Sequence, residues 1–169
     1  MARKFAGPAL AGSLAAVALG LPASTAAASV PQCATRQLKV SLGQFDGGVG
    51  HGGYPIIFKN MGGACSMYGY PGVDGLTASG KTVVHASRRL YGYLGGTHKI
   101  TTVTIATDRT ASAFFEGLNS DLSSTPCPKF SQLAVTPPND RRSVRIRATP
   151  LCHPEIHPVV PGSSGSLGL

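Results

Sequence analysis

YPIIFKNMGGACSMYGYPGV, residues 54–73, decides the fold. Tyr54, Ile56 and Phe58 recur at every second position, the period of a strand with one buried face. Asn60, Gly62 and Gly63 suit a tight turn, and Pro71-Gly72 suits another. ACSMYGYPGV between them reads as a further strand. Upstream, QLKVSL sets Leu38, Val40 and Leu42 against Lys39 and Ser41, again with period two. GQFDGGVGHGG, 43–53, reads as a glycine loop. Downstream, DGLTASGKTVVHAS reads as a strand or hairpin turning at Ser79-Gly80, and HKITTVTIA is dense in β-branched residues. TASAFFEGL follows the polar corner TDR. SQLAVTPPNDRRSVRIRA reads as a hairpin around PPND, and EIHPVV as the last strand. About seven to nine short strands with turn signals, and no amphipathic helix, predict an all-β chain: an immunoglobulin-like antiparallel β-sandwich with two disulfides. A small closed barrel is the alternative. The chain has no tryptophan, so the likeness to antibody domains holds in the broad sense only.

The N-terminus predicts the compartment. Arg3 and Lys4 precede the uncharged apolar run FAGPALAGSLAAVALGLP, and small residues follow. That order reads as a secretory signal peptide over 1–28, with Ala26 and Ala28 as the cleavage motif. VPQ before Cys33 lacks the Leu-small-small pattern of a lipidated cysteine, and no later segment is apolar enough to anchor the mature chain in a bilayer. The expectation is a secreted protein, extracellular or at the cell envelope, with a sandwich domain over 29–161. The tail PGSSGSLGL gives no reason to fold, so 162–169 is expected to be disordered.

Removing Arg3 and Lys4 lowers the formal net charge from +8 to +6. A basic exported protein attracts polyanions, so the expected partners are anionic envelope components or an envelope protein. Nucleic acid is not expected as a physiological partner. Cys33, Cys65, Cys127 and Cys152 form an even set in an oxidising compartment, which implies two disulfides. Four cysteines allow three pairings. Two early and two late make Cys33–Cys65 with Cys127–Cys152 the simplest, and spacing alone does not prove it. A catalytic thiol at Cys65 would have to stay reduced beside a base, so a structural disulfide is the expected role.

The motifs also resemble a known family. CATRQLKVSLG, GHGGYPIIFKNMGGACSMYGYPGV, TVTIATDRTASAFF and CPKFSQLAVTPPND, with Cys152 beyond, are similar to the actinobacterial exported domains of unknown function found in mycobacterial and Streptomyces secreted proteins and lipoproteins. Gly50, Asn60, Cys65, Gly69, Tyr70, Pro71 and Gly72 match that family's pattern. Thr107-Asp108-Arg109-Thr110 departs from its usual Pro-Gly corner. The resemblance implies an immunoglobulin-like sandwich and export, and it carries no catalytic motif.

Three chemistries compete for the rest. In HPEIHP, His153, Glu155 and His157 alternate, so an extended strand would turn all three to one side. Two imidazoles and a carboxylate there would suit zinc or copper. A metal-binding protein is therefore the alternative function, with Met61 and Met67 as further copper candidates. Hydrolase signatures are missing: GSSGS is not a nucleophile elbow, and no paired carboxylates stand out. No catalytic residue and no cofactor are expected. Binding takes the larger share. Arg88, Arg89, Tyr91 and Tyr93 interleave in RRLYGYLGG, and Arg141, Arg145 and Arg147 recur in RRSVRIR with Val144 and Ile146 facing inward. Arginine with tyrosine suits protein interfaces and anionic ligands. The sequence thus predicts a non-catalytic binding or structural module. N-terminal sequencing of the exported protein should begin at Ser29; an intact Met1 or a lipid on Cys33 overturns the export reading.

Overall fold

The computed structural model describes Met1, residues 29–120 and residues 126–167. The signal peptide expected over 1–28 lies, but for Met1, outside the described residues. In chain order the strands are β1 (Leu38–Leu42), β2 (Asp46–Gly48), β3 (His51–Asn60), β4 (Cys65–Tyr68), β5 (Gly72–Leu76), β6 (Thr82–His85) and β7 (Ser87–Arg88). There follow β8 (Thr102–Ile105), β9 (Thr110–Leu118), β10 (Gln132–Thr136), β11 (Val144–Arg147), β12 (Cys152–Ile156) and β13 (Val160–Pro161). A seven-stranded sheet has the path β1-β3-β9-β12-β7, with β2 beside β3 and β13 beside β9. A second sheet runs β11-β10-β5-β6, and β4 pairs with β8. The pairs are antiparallel except β12 with β7. This is the expected all-β sandwich.

The periodicity of residues 54–58 has the predicted cause. Tyr54, Ile56 and Phe58 lie opposite Phe115, Ala113 and Ala111 of β9. All six are buried and pack in one cluster with Val73, Leu133 and Val135 of the second sheet. Burying each large side chain contributes about 1.5–3 kcal/mol. Cys33–Cys65 and Cys127–Cys152 are the disulfides. Each closes a loop whose constraint on the unfolded chain contributes about 3–4 kcal/mol in the chain-entropy model.

Two expectations are corrected. The stretch 43–53 is only partly a loop. Asp46–Gly48 pairs with His51–Gly53 as a hairpin, turned by Val49 and Gly50, both at positive φ. A two-residue turn with that pair of conformations matches strand twist, so stereochemistry compensates for weak strand propensity. The tail expected to be disordered is structured over 162–167. Gly165 donates its N–H to Ser112 Oγ at 2.8 Å, while the Gly96 N–H bonds the Gly165 carbonyl and the Leu167 N–H bonds the Gly96 carbonyl. Backbone N–H groups hold this turn, and its one large apolar residue, Leu167, is half exposed, so no buried apolar pattern marks it in the sequence.

The Asn60 corner resolves the stretch that opened the sequence reading. Asn60 is fully buried. Its Nδ2 donates to the carbonyls of Gly63 and Ile105, both at 2.9 Å. Its Oδ1 accepts from Gln37 Nε2 at 3.1 Å and from the Gly62 N–H at 3.0 Å. One side chain thus ties β3 to β8 and to the turn that delivers Cys65. Asn60→Ala leaves the Gly62 N–H and the Ile105 carbonyl without this partner, while Gln37 Nε2 still donates to the Gly63 carbonyl at 3.1 Å; thermal unfolding should show a loss of about 2–4 kcal/mol.

Candidate functional site

The outward face of β9 carries Ser112, Phe114 and Glu116, opposite Ile57, Pro55 and Gly53 of β3. Such a face ordinarily meets water. Here the segment between β7 and β8 folds over it. Glu116 Oε1 accepts the Tyr93 N–H at 2.8 Å, and Oε2 accepts the Leu94 N–H at 2.7 Å. His157 Nε2 lies 3.0 Å from Oε1. His157 Nδ1 lies 3.0 Å from the carbonyl of Arg89, an acceptor only, so Nδ1 donates. Glu116 is 2% exposed and His157 not at all. Burial alone would raise the Glu116 carboxyl, but the His157 bond, the two backbone N–H groups and the charge of His157 outweigh it and hold the carboxyl below its usual range. A Cβ at Gly92 would fall on Glu116 Oε1, which is why glycine stands between the two tyrosines.

This clamp presents the residues that sequence reading singled out. Tyr91 and Tyr93 are 55% and 52% exposed. Tyr93 stacks on His51 with ring centres 4.4 Å apart, and Tyr91 tilts against His98 at 5.0 Å. The Arg88 guanidinium stands 6.0 Å from the Tyr70 ring centre, and Arg89 pairs with Glu155 at 3.3 Å. No acidic residue lies between Asp74 and Asp108, a stretch that holds Lys81, Arg88, Arg89 and Lys99. The site is therefore aromatic and cationic, on a backbone fixed from beneath.

Arg141, Arg145 and Arg147 are not part of it. Arg145 and Arg147 are exposed on β11, whereas Arg141 lies in the turn before the strand. β11 and β6 are opposite edges of the four-stranded sheet, and a single residue links β6 to the β7 that begins the tyrosine loop. Three strand spacings, about 14 Å, separate the two edges.

The shared metal face expected of HPEIHP does not form among the described residues. A register shift between Cys152 and Glu155, with His153 at positive φ, breaks the alternation of HPEIHP. His153 is exposed, Glu155 turns to Arg89, and His157 is buried against Glu116. Among the described residues no three His, Cys, Asp or Glu side chains gather as a metal site. Met67 is buried in the core and Met61 is exposed. Sequence reading missed the Glu116–His157 pair because 41 residues separate its members.

Glu116→Ala leaves two N–H groups and a ring nitrogen without acceptors, at an expected cost of about 3–5 kcal/mol. The pH dependence has a definite sign. A carboxyl lowered in the folded state stabilises above its unfolded value and loses that contribution as pH falls through the folded one. The melting temperature should drop below about pH 4, with amide exchange at Tyr93 and Leu94 rising first. Equal stability of parent and Glu116→Ala at neutral pH would remove the clamp.

Neither a curated protein nor a solved structure matches the chain. A family model described as a domain of unknown function, DUF4232, matches residues 33–160. That span runs from the first disulfide cysteine to the start of β13 and takes in the Asn60 corner, the clamp and the tyrosine loop, and the chain belongs to this family of domains of unknown function.

Proposed function

We propose that the protein is an exported, non-catalytic binding module of the cell envelope that holds an anionic partner on the loop 88–99. The carrying observation is the rigid presentation of Tyr91 and Tyr93, whose loop backbone donates to a buried carboxylate. Exposed aromatic side chains on a fixed backbone lose little entropy on binding, and tyrosine and arginine are enriched at interfaces. The charge of the loop selects for anions. Arg145 and Arg147 add attraction at the far edge, felt over about one Debye length, roughly 8 Å at physiological salt.

Binding rather than catalysis is favoured by the condition of the acid–base pair. Glu116 and His157 are enclosed, and their polar atoms are engaged with one another and with the backbone. No face is left to reach a substrate. The two disulfides fit an oxidising, extracytoplasmic space, and no helix among the described residues is long and apolar enough to cross a membrane.

Co-sedimentation with anionic phospholipid vesicles and with an acidic polysaccharide, across a salt series, tests the reading. Binding to at least one should weaken steeply with salt. Tyr91→Ala with Tyr93→Ala should lower affinity about tenfold or more, with the domain still folded and still unfolding cooperatively. A double variant that binds like the parent, or binding that ignores salt, sinks the proposal.

A further inference from the structure

The β2–β3 hairpin ends in a residue that its stereochemistry does not favour. Both turn positions stand at positive φ, Val49 at 49° and Gly50 at 80°. Asparagine or aspartate before glycine is the ordinary choice for such a turn, because a β-branched side chain crowds the backbone in that conformation. Val49 is held there from behind. The Asn119 N–H donates to the Gly50 carbonyl at 2.8 Å, and Asn119 Nδ2 donates to the His51 carbonyl at 3.0 Å. The isopropyl group gains no packing in return, since Val49 is 85% exposed. Strain kept without a packing reward points to a use outside the fold.

The tip stands beside the tyrosine loop. His51 is two peptide links from Val49, so their Cα atoms are at most about 7.6 Å apart, and the His51 ring stacks on Tyr93. Tyr91 meets His98, and the exposed Lys99 follows. No Lys, Arg, Asp or Glu lies between Asp46 and Lys59, so the tip itself is uncharged. Asp46, three residues back, lines an open groove floored by Pro55, Ile57 and Phe114.

The occupant has to receive an aliphatic group, two phenol rings and cations together. A polysaccharide gives an isopropyl group nothing to replace the water that it leaves. A stable protein interface uses about 20–30 residues a side, far more than this rim presents. An anionic bilayer takes the three in layers: aliphatic carbon at the acyl boundary, tyrosine among the headgroups with its hydroxyl in water, and Lys or Arg at the phosphates. We propose that the tyrosine loop docks on an anionic bilayer surface, with Val49 at the hairpin tip entering the acyl boundary. The assignment rests on the reading of the loop as a surface for anions and names its partner. Attachment is peripheral and reversible, because one aliphatic side chain is a weak anchor.

Val49→Asn separates this from a purely electrostatic attachment. Asparagine adopts the left-handed conformation readily, so the variant should unfold at a higher temperature than the parent. It removes the apolar tip without changing the charge. Its affinity for vesicles of phosphatidylglycerol with phosphatidylcholine should fall about tenfold, with the salt dependence kept and any binding to an acidic polysaccharide unchanged. In ¹H–¹⁵N NMR spectra of the mature protein with nanodiscs of the same lipids, a nitroxide near the carbonyl end of the acyl chain should broaden the amides of Val49 and Gly50 along with those of Tyr91 and Tyr93. The proposal is overturned if Val49→Asn binds vesicles like the parent, or if it melts at a lower temperature. It also falls if the loop amides broaden while those of Val49 and Gly50 stay sharp; the anion-binding loop then stands without the tip. Binding to the polysaccharide but not to vesicles sinks the bilayer and keeps the loop, whereas binding to neither sinks both.

Discussion

A carboxylate buried on the outward face of the central strand organises half of this molecule. Taking a charge out of water costs several kcal/mol unless partners replace the lost hydration. Glu116 obtains those partners from two distant segments. The loop after β7 supplies the N–H groups of Tyr93 and Leu94, and the chain after β12 supplies His157. Each requirement propagates. The loop must pass so close that a side chain at Gly92 would fall on the carboxylate. The chain at β12 bulges between Cys152 and Glu155, and His157 beyond it turns inward. Its ring then takes the Arg89 carbonyl as a second acceptor, which closes the loop at its other end. One charge thus sets a glycine, a bulge and the height of two exposed tyrosines.

Legibility in the sequence followed the range of the forces involved. The strand at Tyr54, Ile56 and Phe58 could be read because one face meets the core and the pattern is local. TASAFFEGL could be read as a strand, matching β9, but not for what its outer face does. Seven consecutive residues of it are buried, so Phe114 and Glu116 carry no mark of facing away from the core. The glycine hairpin at 46–53 depends on turn stereochemistry, and the turn at 162–167 on backbone bonds; neither leaves an apolar signature. HPEIHP misled for a tertiary reason. Alternation predicts a shared face only for an unbroken strand, and the bulge removes that condition. Tyr91 and Tyr93 were legible as exposed aromatics between glycines, while the groove, whose walls lie more than a hundred residues apart, was not.

The Asn60 corner shows how residues with chemical potential are used for structure. A cysteine beside glycines, tyrosines and a histidine-bearing strand invites a catalytic reading. Instead, Asn60 spends all four of its hydrogen-bonding positions on neighbouring groups, and Cys65 is closed onto Cys33. Asp140 plays the matching role nearby. It takes the N–H and hydroxyl of Thr35 at 2.7 and 2.8 Å, and these bonds, with the Arg141 and Arg142 N–H groups, hold its carboxyl well below the usual range. The polar chemistry of this end is saturated by the protein itself.

The opposite condition holds on the outer sheet face. His51, Gly53, Pro55 and Ile57 follow one another at every second position of β3, and the chain covers this line unevenly. His51 lies under Tyr93, Gly53 is paired with Glu116, and Pro55 and Ile57 are the groove floor. Four residues of strand, about 14 Å, separate His51, under the aromatic loop, from Pro55, in the floor of an open groove. Gly95 packs on the Cβ of Phe114, whose ring is part of the floor, so the two surfaces share a wall.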